Sequence, residues 1–582
     1  MSLRAERSNL PDVGLRLLRR CAPRNDISKL MLSEARSANI FVPFAARRNS
    51  RGGRRWALRV LEKIGPTWRC APVRRITQVL CLALFGYLFF HVAWPYAAVF
   101  TERVLQDKEW LPVEFFLWLD PLVGLSTAVA ARHWNVALLG LGGVLLAGLL
   151  FPRGFCGYLC PLGTLIDGFD WLVGQCFTRR RPRRPGAWVH LKYYLLIVVL
   201  LGALGGVLLS GYVAAIPVLT RGLLFTGGRL QLGLMKSWSQ VPPASGNMYL
   251  SLLLFATVFL MGLFGKRFWC RHVCPSGAVF SIFNLLRIGE RKVEATCISC
   301  GKCVESCPFD AIREDYTTRT SDCTFCQTCG GACPVRAITF VTRWHRDNRT
   351  KLDDRPVTAR PLSRRGIIVS GVAGIGAALG MRTGPTLTAR PAKRPLRPPG
   401  SVAEPEFLDR CIRCGACFKV CPGPVLQPAG LEFGVEALWT PVVVPSHAGC
   451  HQDCNFCTQV CPTHAIRPLS LAEKRQTRIG LAVIDAKTCL AHAGQRDCRL
   501  CFEECTAAGY QAIEMRPIRL ALGDIPPGVL SEAELEAMAS IEAPFVNPAA
   551  CTGCGLCEYR CHTTYTKQTH ALSDSAIRVV PT

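Results

Sequence analysis

Charge is thin in this 582-residue sequence, and acidic charge is thinner: charged residues make up 19%, with 41 Asp+Glu against 69 Lys+Arg. At 49% hydrophobic, the chain is too apolar for a disordered or purely soluble protein. Patterns of substrate turnover are missing too. There is no Ser/His/Asp constellation, nucleotide loop or molybdenum signature. Gly371, Gly374 and Gly376 follow no strand, so they do not form a dinucleotide fingerprint. No C-x2-C-H run offers covalent haem attachment, since His562 follows a C-x3-C. The net charge of +28 comes with no nucleic-acid reading motif, which sets nucleic acid aside as a partner.

Cysteine is what the chain has in excess, 32 in all. That is too many for incidental thiols, and the chain is too long for a small disulfide-stapled domain. Twenty-four of them form six groups of four. Cys297, Cys300, Cys303, Cys307 precede Pro308, and Cys323, Cys326, Cys329, Cys333 precede Pro334. Each reads C-x2-C-x2-C-x3-C-P, in which three close thiolates hold one [4Fe-4S] cube and the fourth ligates the neighbour's cube. The implied sets are Cys297, Cys300, Cys303 with Cys333, and Cys323, Cys326, Cys329 with Cys307. Zinc ribbons would need two well-separated C-x2-C pairs instead.

Four further groups follow: Cys411, Cys414, Cys417, Cys421; Cys450, Cys454, Cys457, Cys461; Cys489, Cys498, Cys501, Cys505; and Cys551, Cys554, Cys557, Cys561. The expected cofactors are therefore six [4Fe-4S] clusters. Two matching pairs, Cys156-x3-Cys160-Pro161 and Cys270-x3-Cys274-Pro275, each follow an apolar span and a basic residue. These four thiols could hold a seventh cluster, form a redox-active thiol site, or be buried structural thiols. Cys21, Cys70, Cys81 and Cys176 have no ligand spacing.

Apolar windows near Ile76–Ala97, Val136–Phe151, Leu191–Ala214 and Met248–Phe264 are read as four transmembrane helices. Gly366–Met381 is a weaker fifth span. Val113–Ala130 carries Glu114, Asp120 and Pro121, which suits a surface or half-inserted helix. Residues 1–75 hold eighteen Lys+Arg, 101–134 three, 153–192 seven, 217–247 three and 266–365 eighteen. This alternation places the N-terminus, both C-x3-C-P pairs and the 297–333 runs on the cytoplasmic side. The fifth span then puts 401–582 outside, a part holding fifteen Lys+Arg against nineteen Asp+Glu. Ser363-Arg364-Arg365-Gly366-Ile367-Ile368 has the form of a twin-arginine export signal.

The expected organisation is a basic arm over 1–75, a helical membrane domain over 76–290 and a two-cluster ferredoxin domain over 291–345. A linker with the fifth span follows over 346–400, then a four-cluster domain over 401–582. The fold class is a multidomain membrane protein, an α-helical transmembrane bundle carrying two α+β bacterial-type ferredoxin units.

On the four spans, Asp120-Pro121-Leu122, the C-x3-C-P pairs and the double cysteine run, residues from about 76 to 340 resemble membrane ferredoxin-type proteins of the NapH/MauN kind. On SRRGII, RPPGSVAEPEFLDRCIRCGACFKVCPG and the later cysteine groups, residues from about 360 to 580 resemble exported four-cluster proteins of the NapG/MauM kind. The chain thus resembles a fusion of the two. Its twin-arginine motif is internal, and its last two cysteine groups lack the closing proline. The resemblance implies a protein of the bacterial inner membrane, with a periplasmic C-terminal domain. It would pass electrons between the quinone pool, or a cytoplasmic ferredoxin-like donor, and a periplasmic oxidoreductase or cytochrome. It would be an electron-transfer component more than a stand-alone enzyme. Maturation of a metalloenzyme is the alternative, because the C-x3-C-P pairs resemble those of membrane ferredoxins tied to copper-site assembly. In 401–582 the clusters could exchange ligands between neighbouring runs, or pair outer with outer and inner with inner.

Overall fold

The computed structural model describes residues 72–91, 113–132, 136–150, 153–176, 190–235, 237–344, 362–387, 394–519 and 540–582. Nearly all of the basic arm, Cys21, Cys70, the arginines from Arg179 to Arg184 and much of the 346–400 linker lie outside these residues.

The N-terminal half folds as a helical unit. Its elements are α1 (Pro72–His91), α2 (Pro121–Ala131), α3 (Val136–Leu150), α4 (Pro161–Cys176), α5 (Leu191–Leu204), α6 (Ala215–Leu223), α7 (Arg229–Met235), α8 (Gly246–Leu260) and α9 (Pro275–Phe283). Two stretches, Pro72–His91 and Gly246–Leu263, have the length and apolar composition to cross a membrane. The windows read as spans two and three hold shorter helices, of 15 and 14 residues. Helix α5 stops at Gly205 because Gly206 takes φ +77°, so the apolar window running to Ala214 is broken there. A 14-residue helix rises only about 21 Å, short of a hydrocarbon core of about 30 Å.

The 113–130 segment is not on the surface. Leu122 and Val123 in α2 are fully buried, and so is Asp120. The charge that suggested solvent is used internally instead: Asp120 caps α2 by accepting from the Leu122 amide at 3.1 Å, and it also accepts from the Ile216 amide at 3.4 Å, in the first turn of α6.

The fifth apolar window lies in a 24-residue helix, α10 (Arg364–Leu387), with Arg364 and Arg365 at its start. It packs along α5 through small residues. A Cβ on Gly374 would stand 3.0 Å from the Val198 carbonyl oxygen, so glycine permits this closeness of backbones.

The cysteine-rich parts form three modules of two runs each, and each module is closed by β pairing between its ends. Strand β1 (Gly289–Val293) pairs antiparallel with β2 (Ile338–Thr342), Glu290 opposite Val341, around the runs at 297–307 and 323–333. The Ser401–Ile466 bridge closes the module at 411–461, within which β3 (Leu426–Pro428) pairs with β4 (Pro441–Val443). Strand β5 (Leu481–Ile484) pairs with β8 (Ile577–Val580) around the last two runs, which are joined through β6 (Ile513–Arg519) and β7 (Ser540–Val546). Each module has its own buried core, built largely of its cysteines and flanking apolar residues.

The second module docks on the helical unit. Ile412 and Cys414 belong to the same buried cluster as Ile216 and Leu219 of α6. Arg413, 1% exposed, donates to the Leu208 carbonyl at 2.8 Å and the Glu436 carbonyl at 2.6 Å, and stacks over Tyr212. Arg221 donates to the carbonyls of Gly211 and Arg413 and stacks over Trp439. The first module grips the other end: Asn284 donates to the Cys323 carbonyl, Tyr158 to the Phe325 carbonyl, and Lys192 to Asp322 at 2.9 Å.

Candidate iron–sulfur sites

In the four runs that read C-x2-C-x2-C, the residues just before and after the middle cysteine lie in the left-handed region: Ser299 and Gly301, Phe325 and Gln327, Arg413 and Gly415, Gly553 and Gly555. This alternation wraps the backbone around the thiols, so that three sulfurs face one enclosed space. The fourth cysteine of a run begins the next extended stretch and faces the partner run. Its sulfur then accepts a backbone amide, as from Ala311 to Cys307 and from Ala337 to Cys333, both at 3.3 Å.

The resulting sets cross over between neighbouring runs. Cys297, Cys300, Cys303 and Cys333 line one cavity. Cys307 lies with Cys323, Cys326 and Cys329. In the second module Cys461 joins Cys411, Cys414 and Cys417, and Cys421 joins Cys450, Cys454 and Cys457. In the third, Cys561 joins Cys489, Cys498 and Cys501 around one cavity, and Cys505 joins Cys551, Cys554 and Cys557. Of the two exchange patterns open in 401–582, the thiols gather by neighbours.

Burial pushes these thiols up, to about 12 for Cys307, Cys414, Cys454, Cys501 and Cys554, and the neighbouring sulfurs of each set add to the rise. Buried thiols so close would resist ionising together unless a cation joined them, which is the chemistry of a metal-cluster site. Among the described residues no cysteine is in a disulfide. Nor, among them, do three or more His, Cys, Asp or Glu side chains gather as they would on one ion. With Zn–S bonds near 2.3 Å, a zinc site would pull its sulfurs in to a point. These sulfurs surround a space instead.

The C-x3-C-P pairs also converge. Cys156, Cys160, Cys270 and Cys274 line one pocket with Phe155, Trp269, Phe280 and Ala215. The two halves are built alike. Each begins at an arginine with φ +49°, Arg153 or Arg267, passes through a wide helical turn (Phe155–Leu159 or Trp269–Val273), and ends in a proline-led helix, α4 or α9. In each, a glycine amide three residues on, Gly163 or Gly277, donates to the second cysteine sulfur at 3.4 Å.

The arginines cross between the halves. Arg267 donates to the Cys156 carbonyl at 2.8 Å and the Gly163 carbonyl at 3.0 Å, while Arg153 reaches the Gly277 loop. Both are essentially fully buried, and among the described residues Nη2 of Arg153 has no hydrogen-bond partner. The indole N–H of Trp269 is likewise buried and unpartnered. The N-termini of α4, α6 and α9 also meet at this pocket. Two buried guanidinium groups, three helix N-termini and spare donors fit an anionic four-thiolate group, such as an iron–sulfur cluster.

Sequence reading brought out the thiols but took the arginines only as basic flanks; their signal is a shared R-x-x-C-x3-C-P-x-G in both halves. It also missed Asp167. This buried carboxylate receives Arg267 at 2.5 and 2.8 Å, Arg74 at 2.6 Å, Arg75 at 3.0 Å and Gln78 at 3.0 Å. Nearby, burial opposes ionisation of Asp322, but Lys192 and Arg153 outweigh it and hold its carboxyl well below the usual range.

The sets form a series. Tyr158 ties the C-x3-C-P pocket to the loop holding Cys326, and Gly157 lies against Thr324. On the other side Ala215 lines the pocket, and Thr220, five residues along α6, donates to the Cys414 carbonyl at 2.8 Å. That is a helical rise of about 7.5 Å. Beyond it, Cys417 neighbours Cys457, the Cys450 amide donates to the Cys554 carbonyl, and Cys557 neighbours Cys501.

Known iron–sulfur proteins match parts of this chain. A 4Fe-4S binding domain family matches residues 135–185 and 247–293, which include all four C-x3-C-P cysteines, and another 4Fe-4S binding domain family matches 291–313 and 407–427. The class is thus that of ferredoxin-type iron–sulfur proteins, which transfer electrons. Within it, the chain is 32% identical over 237 residues to the methylamine utilization ferredoxin-type protein MauM of Methylobacillus flagellatus, covering 39% of this chain and 84% of that one. It is 33% identical to the ferredoxin-type protein NapG of Escherichia coli (36% of this chain, 80% of NapG) and to MauN of Paracoccus denitrificans (40% and 75%). The chain belongs to this Mau/Nap family of ferredoxin-type proteins, and likeness to both MauM/NapG and MauN is consistent with a fusion. No solved structure matches it.

Proposed function

We propose that the chain is a membrane-spanning iron–sulfur conduit, passing electrons between a quinol or a cytoplasmic ferredoxin-like donor and a periplasmic redox enzyme. The 24 cysteines of the six runs would hold six [4Fe-4S] clusters, and Cys156, Cys160, Cys270 and Cys274 a seventh. A bound cluster accepts and releases one electron at a time, and full thiolate ligation leaves it no open position for substrate.

The observation that carries this reading is the continuity of the series, seven thiol sets from Cys297 to Cys489 with the C-x3-C-P set between the first and second modules. The chain's own residues do the rest. Arg153, Arg267 and the helix N-termini offset the negative charge of the middle set, and the α6 contact holds the second module against it. Outward-facing apolar side chains on α1 and α8, such as Leu80 and Leu253, are what lipid would cover. The charge alternation supports cytoplasmic placement of the first module and export of the other two.

The test is reduction of purified, cluster-loaded protein. A quinol analogue or reduced ferredoxin should bleach its visible cluster absorbance, and a periplasmic acceptor should restore it. Protein that binds clusters yet responds to none of these is not a relay.

A further inference from the structure

Where the second module meets the helical unit, a cavity of about 100 Å³ opens. One wall is apolar and comes from the helices: Leu224, Phe225 and Met248, which form a small core with Phe89 and Phe418. The opposite wall comes from the second module and includes Lys419 and Cys421, the latter grouped with Cys450, Cys454 and Cys457. The polar end is fixed in place. Lys419 donates to Gln231 and lies over the rings of Phe89 and Phe90, and Gln231 donates to the Phe90 carbonyl at 2.9 Å. The other end opens beside Met235, itself on the cavity lining and 47% exposed, next to the outward apolar face of α7 that bears Leu230 and Leu234.

This shape suits a ligand with an apolar tail and a hydrogen-bonding head. The cysteine in the wall suits one that gives up electrons. We propose that the seam cavity binds the headgroup of a membrane quinol, so that quinol electrons enter the series at the Cys421 set, beyond the C-x3-C-P set. The proposal rests on the relay reading above and gives it a second inlet, separate from the cytoplasmic one. Oxidation of one quinol there yields the quinone. It releases two protons to water on the exported side and two electrons, taken singly by the iron–sulfur centre and passed to the periplasmic acceptor.

The experiment uses the full-length, cluster-loaded protein in lipid nanodiscs with a photoactivatable azidoquinone. Covalent label should map to peptides spanning 224–248 or 418–428. Gly228→Leu would project into the cavity, since its Cβ meets Leu224 at 3.5 Å and Lys419 at 3.8 Å. It should cut labelling at least about tenfold, the loss of one good contact. Iron content and cluster spectrum check that this variant folds. Label elsewhere, or undiminished in Gly228→Leu, overturns the proposal, as does equal displacement by a phospholipid analogue, which would make this a lipid site. If a reduced ferredoxin bleaches the wild type and a quinol does not, the cavity proposal fails and the relay stands. If neither does, the relay fails as well.

Discussion

Asp167 is the one carboxylate shared by Arg74, Arg75 and Arg267, and the side chains of Arg74 and Arg267 are 0% exposed. Asp167→Asn keeps the volume and removes the charge, so those two buried guanidinium groups lose this carboxylate. The new amide NH2 would also point at a guanidinium donor. Breaking a buried pair from one side costs about 3–5 kcal/mol, and two buried cations lose a partner here, which argues for the upper half of that range. For a unit of about 200 residues this corresponds to a fall in Tm of roughly 10 °C. The damage should also be local and chemical, because Arg267 holds the Cys156 and Gly163 carbonyls. We expect loss of about four iron per chain with the other cluster signals intact. Glu514→Gln serves as the control: its ion pair with Arg516 is exposed and should be worth no more than about 1 kcal/mol. Thermal unfolding and iron analysis in the same detergent read both effects. An Asp167→Asn protein with unchanged Tm and iron would refute the charge-compensation argument.

Other outcomes follow from the same geometry. Cys156→Ala with Cys274→Ala should lower iron from about 28 to about 24 per chain. Loss of turnover beside an intact partner enzyme would favour relay, and a partner that fails to assemble would favour maturation. Cys307→Ser should disturb the cluster on Cys323, Cys326 and Cys329 and spare that of its own run, as EPR of the two centres would tell. Gly211→Val should pry the second module off the helices, because even a Cβ there would stand 2.7 Å from the Ile412 carbonyl oxygen. Hydrogen exchange should rise along 208–221 and 411–414.

The gathering of thiols within a run was legible because it is local: three thiols in seven residues announce a wrapped loop. The partner of each fourth cysteine was legible in 297–333, where two runs stand alone. It was open in 401–582, because the choice is made by the Ser401–Ile466 bridge and the β5–β8 pairing, contacts between distant residues. The crossing arginines were read as flanking charge, since nothing in a linear spacing says that Arg267 closes the loop of Cys156. Hydropathy located the apolar windows but not their ends. Gly206 divides one of them, and Asp120 turns inward to cap α2 and meet α6, so a segment that looked superficial is core.

The central claim is that electrons cross the protein from the first module to the third. The direct measurement is reconstitution of cluster-loaded protein into sealed vesicles holding a reduced ferredoxin on the side of the first module, with a membrane-impermeant acceptor on the other side. The conduit predicts acceptor reduction that depends on the protein and falls to the protein-free rate in the Cys156→Ala, Cys274→Ala variant. Wild-type protein with its full iron complement and no transfer above protein-free vesicles would contradict it.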